Sequence, residues 1–163
     1  MKTIKRSIAL VLAMVLTLAM SITVFADTAK TYSIKIKNAV AGHTYEAYQI
    51  LAGDLDSTET KLSNVTWGKG VTSDAQTNLG DAADYVEELK KIDSNSDAAT
   101  AEANKLNAYL GTATGSVSVP TDSANIDYTI DGLPAGYYLV KDQDNSLAGT
   151  KDSYTSYILM VVK

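Results

Sequence analysis

From Lys30 to Asn38 apolar and polar residues alternate, with Tyr32, Ile34 and Ile36 facing one way and Ser33, Lys35 and Lys37 the other. A period of two predicts a half-buried strand. Gly42 marks a turn, and the Tyr- and Ile-rich run from His43 to Leu51 predicts a second strand. The acidic stretch Asp54 to Thr60 reads as a surface loop, and Leu62, Val65 and Trp67 as a third short strand before a Gly68-Lys69-Gly70 turn. The period then changes. Leu79, Ala82, Ala83, Val86 and Leu89 recur at three- and four-residue spacing, with Asp81 placed to cap and Glu87, Glu88, Lys90 and Lys91 outside, which predicts a helix. A second helix is predicted from about Asp97 to Leu110, with Ala99, Ala103, Leu106 and Leu110 on one stripe and Gly111 as the stop. The polar run Asp93-Ser94-Asn95-Ser96 separates the two.

Beyond a Gly/Ser/Thr linker from Gly111 to Thr121 the alternation returns. Ile126, Tyr128 and Ile130 form one strand face; Gly132 to Gly136 turns the chain, and Tyr137 to Lys141 is predicted to return it as a hairpin partner. Asp142 to Ser153 reads as a polar loop, and the near-continuous apolar run Tyr157 to Val162 as a strand covered on both faces. Strands at both ends with a helical insertion at about 74–110 predict a mainly β protein, a β-sandwich carrying an inserted pair of short helices.

Residues 1–26 stand apart from this pattern. They carry Lys2, Lys5 and Arg6 but no acid, then an apolar run from Ile8 to Met20, and finish at Val24-Phe25-Ala26. Small side chains at Val24 and Ala26 suit signal peptidase, so a secretory signal helix is predicted, cleaved between Ala26 and Asp27. An uncleaved anchor is the alternative, because Ile8 to Ala26 approaches the ~20 residues that cross a bilayer, although Ser21 and Thr23 weaken the run. Cleavage leaves residues 27–163, enough for one domain with a sizeable core. It also removes three of the 14 basic residues and none of the 19 acids, an excess of eight negative charges. Nucleic acid and anionic membrane surfaces are therefore excluded as partners, since no Lys/Arg cluster interrupts the acidity. With no cysteine, the chain takes nothing from an oxidising compartment, and its stability rests on packing or on another covalent device.

Candidate chemistry is thin. His43 is the single histidine, and Gly42-His43-Thr44 reads as a strand entrance, so a structural role is expected in preference to a catalytic one. Histidine-plus-cysteine metal sites are excluded by composition. Asp54, Asp56 and Glu59, or Asp142, Asp144 and Asn145, offer oxygens to calcium, but neither set completes a loop with its glycine and terminal glutamate, so solvated acidic loops and no metal are expected. No motif selects a carboxylate pair for glycoside hydrolysis. Among ten tyrosines and one tryptophan, Tyr45, Tyr48, Trp67 and Tyr137 are candidates for a stacking platform. The blander expectation is that tyrosines fill the core edge and send their hydroxyls to solvent.

Three segments resemble a known family, the N-terminal domain of sortase-assembled fimbrial proteins, the pilin backbones of Gram-positive bacteria. AGHTYEAYQILAGDL (41–55) is close to the family's second-strand signature and LSNVTWGKGV (62–71) to its following strand and turn. IDGLPAGYYLVKD (130–142) with SYTSYILMVV (153–162) resembles its closing strands. The resemblance implies an Ig-like sandwich over residues 27–163, a cell-surface location, and a shaft or tip subunit whose partners are other pilin subunits and a pilin-specific sortase. No enzymatic activity and no cofactor are implied.

The family often carries an internal Lys–Asn amide formed with the help of a buried acid. Burial lowers the lysine pKa so that a neutral amine attacks, while the acid shuttles protons. The in-phase position after Ile34 and Ile36 is Asn38, not lysine, and Lys35 and Lys37 fall on the opposite face. Asp142 occupies the acid's place in the G-x-Y-x-V-x-D pattern from Gly136, but the chain reaches Lys163 with no Asn after the last apolar run. No internal isopeptide bond is expected, and Asp142 reads as a solvated turn acid. No LPxTG-like or YPK-like motif is present, which predicts a piece of a longer pilin or a stand-alone derivative. The alternative is a secreted module that recognises glycan or host protein through its Tyr/Trp surface.

Overall fold

The computed structural model describes residues 30–59, 61–93, 96–123 and 126–143, and the backbone of 157–161. The signal segment and its Ala26–Asp27 junction, Asp144, Asn145 and Lys163 lie outside the described residues. The order is β1 (Tyr32–Ile36), β2 (Thr44–Leu55), β3 (Leu62–Trp67), α1 (Ser73–Leu79), α2 (Ala82–Leu89), α3 (Asp97–Asn107), β4 (Gly115–Ser118), β5 (Tyr128–Leu133), β6 (Gly136–Asp142) and β7 (Tyr157–Val161). The protein is mainly β, with two antiparallel sheets. Among the described residues no helix is long and apolar enough to cross a membrane.

The centre is β2, which is twelve residues long and keeps three partners at once. Along one edge it pairs with β6, from Tyr45 opposite Asp142 to Ala52 opposite Gly136. Its other edge is shared: Thr44–Ala47 pairs with β4, and Leu51–Leu55 with β3. β7 extends this five-stranded sheet beyond β6. β1 and β5 form a separate two-stranded sheet, with Ile34 opposite Ile130 and Tyr32 opposite Leu133. The turn between Gly132 and Gly136 is thus not a hairpin. It carries the chain from one sheet to the other, because Pro134 has no N–H to donate to a continuing ladder and β5 is already paired to β1.

Alternation along the strands sorts the core into two clusters. Tyr45 and Ala47 of β2 and Tyr138 and Val140 of β6 face the two-stranded sheet, where they meet Tyr32, Ile34, Ile130 and Leu133. Tyr48, Ile50, Leu51 and Leu139 face the opposite way and meet Ala82, Tyr85, Val86, Ala103 and Leu106 of the helices. The helices therefore complete a third layer over the large sheet, and there are three of them where the sequence pattern predicts a pair. Gly80, at φ +86°, ends α1, so Leu79 belongs to a separate helix. Asp81 then caps α2 by accepting from the Ala83 N–H at 2.8 Å, and Ser96 caps α3 by accepting from Ala99 at 3.1 Å. The buried stripe of α2 runs through Ala82, Tyr85 and Val86, and leaves Ala83 exposed.

Two strand expectations also shift. The Gly/Ser/Thr stretch contains β4, whose one large apolar residue, Val117, sits opposite Tyr45. Ile126 is 51 % exposed and precedes β5.

One buried polar residue interrupts the apolar sheet. Gln49 is 3 % exposed and lies where the β2–β6 register shifts. Its side-chain amide donates to the Ala135 carbonyl at 2.9 Å and accepts from the Lys69 N–H at 3.4 Å, while its own N–H reaches the Thr114 hydroxyl at 3.1 Å. Its carbonyl accepts from Gly70 at 2.9 Å. Backbone approaches so closely here that a Cβ on Gly68 or Gly70 would collide with the main chain of Gln49.

Truncating Gln49→Ala is expected to lower stability by about 1–3 kcal/mol, since it removes the partner of the part-buried Lys69 N–H and Ala135 carbonyl. Gln76→Ala on the exposed face of α1 should stay within about 0.5 kcal/mol. Urea midpoints at unchanged slope make the comparison.

Candidate functional site

Asp142 is the one buried charged residue among those described, 3 % exposed at the end of β6. Strand parity carries it onto the face of Tyr138 and Val140, and its register partner is Tyr45. A carboxylate taken out of water needs a partner. His43 supplies one, with Nδ1 3.1 Å from Oδ1. The expectation of a solvated turn acid is overturned here, because β6 runs two residues past Val140 and keeps its inward phase.

Around this pair, three segments are tied together. The Val40 N–H donates to the Tyr45 hydroxyl at 3.0 Å, Val119 donates to the His43 carbonyl at 2.8 Å, and Gln143 donates to the Thr44 carbonyl at 2.8 Å. The Thr44 and Ser118 hydroxyls meet at 2.9 Å. An Asp–His pair is the orienting half of a nucleophilic triad. Here it sits among strand ends, backbone groups and the Thr44 and Ser118 hydroxyls, and it ties together the β4-β2-β6 end of the sheet. Sequence spacing alone hid it, since the partners are 99 residues apart.

The four aromatic candidates do not share a surface. Tyr45 and Tyr48 are buried on opposite faces of β2, while Trp67 and Tyr137 are half-buried on the helical side. Trp67 leans on Tyr85 with ring centroids 5.0 Å apart and donates from Nε1 to the Gly80 carbonyl at 3.0 Å. Nor do the buried hydroxyls turn to solvent. Tyr48 donates to Glu46 at 2.6 Å, Tyr138 to the Pro134 carbonyl at 2.8 Å, and Tyr85 to Glu102. Burial, then the Glu46 carboxylate, pushes the Tyr48 hydroxyl up to about 12. Burial raises Tyr138, and burial with Glu102 raises Tyr85 further.

The acidic loop residues are engaged locally. Asp54 accepts from Asn64 at 2.9 Å, Asp56 from the Thr58 hydroxyl at 2.7 Å and the Lys61 N–H at 3.2 Å, and Glu59 pairs with Lys30. Among the described residues no three His, Cys, Asp or Glu side chains gather as a metal site. Asn38 sits exposed in the turn after β1 at φ +51°, and Lys35 and Lys37 are exposed.

One concavity was not anticipated from the sequence. An open groove of about 380 Å³ runs along α2 and the start of the segment after it, facing α3, and is lined by Leu79, Asp84, Tyr85, Leu89, Ile92 and Glu102, among others. No local sequence signal marks it: Asp84 lies in the first turn of α2, where a carboxylate is favourable, and Glu88 is paired with Lys91 at 2.6 Å.

Comparison with known proteins finds no matching family model, no matching curated protein and no matching solved structure.

Replacing Asp142→Ala is expected to lower stability by about 2 kcal/mol, because it removes one side of a largely buried pair, whereas exposed Asp122→Ala should be near neutral. Alkaline titration followed by tyrosinate absorbance should show Tyr48, Tyr85 and Tyr138 still protonated after the exposed phenols have ionised. Because these phenols are raised in the folded chain, their stabilisation is complete below the unfolded value of about 10 and falls as pH climbs above it. Chemical denaturation at stepped pH should give a declining midpoint from about pH 10 upward; a flat midpoint would contradict the burial.

Proposed function

We propose that the chain is a structural, non-enzymatic domain of a cell-surface fimbria, exported by residues 1–26 and folded over 27–163 as an Ig-like sandwich with a helical layer. The observation that carries this reading is where the resembling segments fall. Segment 41–55 contains β2, 62–71 contains β3, and 130–142 contains the end of β5 and all of β6, so three of them are adjacent strands of one sheet. Segment 153–162 contains β7, the next strand along.

The architecture suits a load-bearing part. The central β2–β6 pair is covered on both faces, and its antiparallel ladder cannot shear without opening both core clusters. Breaking several ladder bonds together with two packed faces takes far more work than peeling an edge strand. The internal amide is not part of the proposal. Lys35 and Lys37 are exposed, and the buried Asp142 is engaged with His43 in the place where a reactive lysine would need it. Its partners are other pilin subunits and a sortase, with host-surface ligands reached through the assembled filament.

Antibodies raised against the chain should label filaments on intact cells and detect a ladder of high-mass species that survives boiling in detergent after cell-wall digestion. A single band at the mass of the lone chain, released without wall digestion, would sink the proposal.

A further inference from the structure

We propose that β1 is a tension-releasable strand: a pull between the start of β1 and the end of β7 peels β1 from β5 at low force, and then passes the load to the β2–β6 ladder in shear. The device belongs to the fold, so it is tested without a filament and its failure is separate from that of the fimbrial reading. Its use, a subunit that gives slightly before it holds, rests on that reading.

Strand direction fixes where the load enters. Tyr32, the first residue of β1, lies opposite Leu133, the last of β5. Val161, the last residue of β7, lies opposite Gly136, the first of β6. Only Pro134 and Ala135 separate those two partners, so the chain enters β1 and leaves β7 at the same end of the domain. The hydrogen bonds of an antiparallel ladder lie across its strands. Strand ends pulled apart sideways therefore open the ladder from that end, one bond after another.

β1 is the strand that yields. It is five residues long, pairs with β5 alone among the described strands, and its register shifts between Tyr32 and Ile34, where the load arrives. β7 keeps an unbroken register along β6 from Tyr157 to Val161. Peeling stops beyond Asn38. There the Ala39 N–H donates to the Ile126 carbonyl at 3.1 Å, the Gly42 N–H donates to the Val119 carbonyl at 2.9 Å, and His43 meets Asp142. The seven residues from Tyr32 to Asn38 are freed, about 25 Å of extended chain. The load then reaches the start of β2, where Tyr45 lies opposite Asp142, while its other point stays at the end of β7, opposite Gly136. Those are diagonal corners of the β2-β6-β7 sheet. Pulled lengthwise, these strands slide only if many bonds and both core clusters give way together.

The test is single-molecule pulling of the full chain. The sequence has no cysteine, so an introduced pair defines the two points of load. Thr31→Cys with Lys163→Cys applies tension across the shared end, and Lys37→Cys with Lys163→Cys bypasses β1; Thr31 and Lys37 are both exposed. Each pair is checked for an unchanged urea midpoint before pulling. The first pair should give a short step of no more than about 25 Å before the main rip, at less than about half the force of that rip, because bonds that part singly resist less than bonds loaded together. The second pair should show the rip without the step. The proposal is overturned by a single rip in the first pair, by the same step in both pairs, or by a first step several times longer, which would make β7 the strand that leaves.

Discussion

The fold hangs on how β2 satisfies its buried polar groups while changing partners. A twelve-residue strand held between β6 on one side and β4 and then β3 on the other must pass a gap where one edge partner ends and the next begins. Gln49 fills that gap. Its amide and main chain take up Ala135, Lys69, Gly70 and Thr114, which are the chain's crossing between sheets, the turn into the helices and the approach to β4. Buried peptide groups without such partners would each cost about 1–3 kcal/mol, so a single polar residue fixes where three connections run.

From that junction the layering follows. The register shift beside Gln49 moves Leu51 onto the helical side with Tyr48 and Ile50, while Tyr45 and Ala47 stay with the two-stranded sheet. β2 thereby feeds both cores, and both faces of the β2–β6 pair are covered. At the other end of β2 the same strand meets a charge. Asp142 arrives inward by parity and is matched by His43, so of the two polar exceptions in the described core Asp142 closes one end of the β2–β6 ladder and Gln49 sits at the register shift within it.

These features separate the parts of the surface. Most of the described aromatic residues are spent inside, with hydroxyls bonded to Glu46, Glu102 and the Pro134 carbonyl, and the four platform candidates are split between two faces.

The amino-acid sequence by itself determined the elements whose signals are local. Two-residue alternation marked β1 and β5, runs rich in apolar and aromatic residues marked β2, β3 and β6, three- and four-residue recurrence marked α2 and α3, and Asp81 was readable as a cap because capping depends on bonds within one turn. Tertiary structure decided everything that depends on partners distant along the chain. β4 is a strand because β2 offers it an edge, not because Gly-Ser-Val-Ser favours one. β5 and β6 part company because β1 and β2 compete for them, and the solvated appearance of Asp142 gives way once β6 and the loop at His43 meet. Pairing and burial are properties of surfaces brought together by the whole chain, and a period read along one segment carries no information about which surface will cover it.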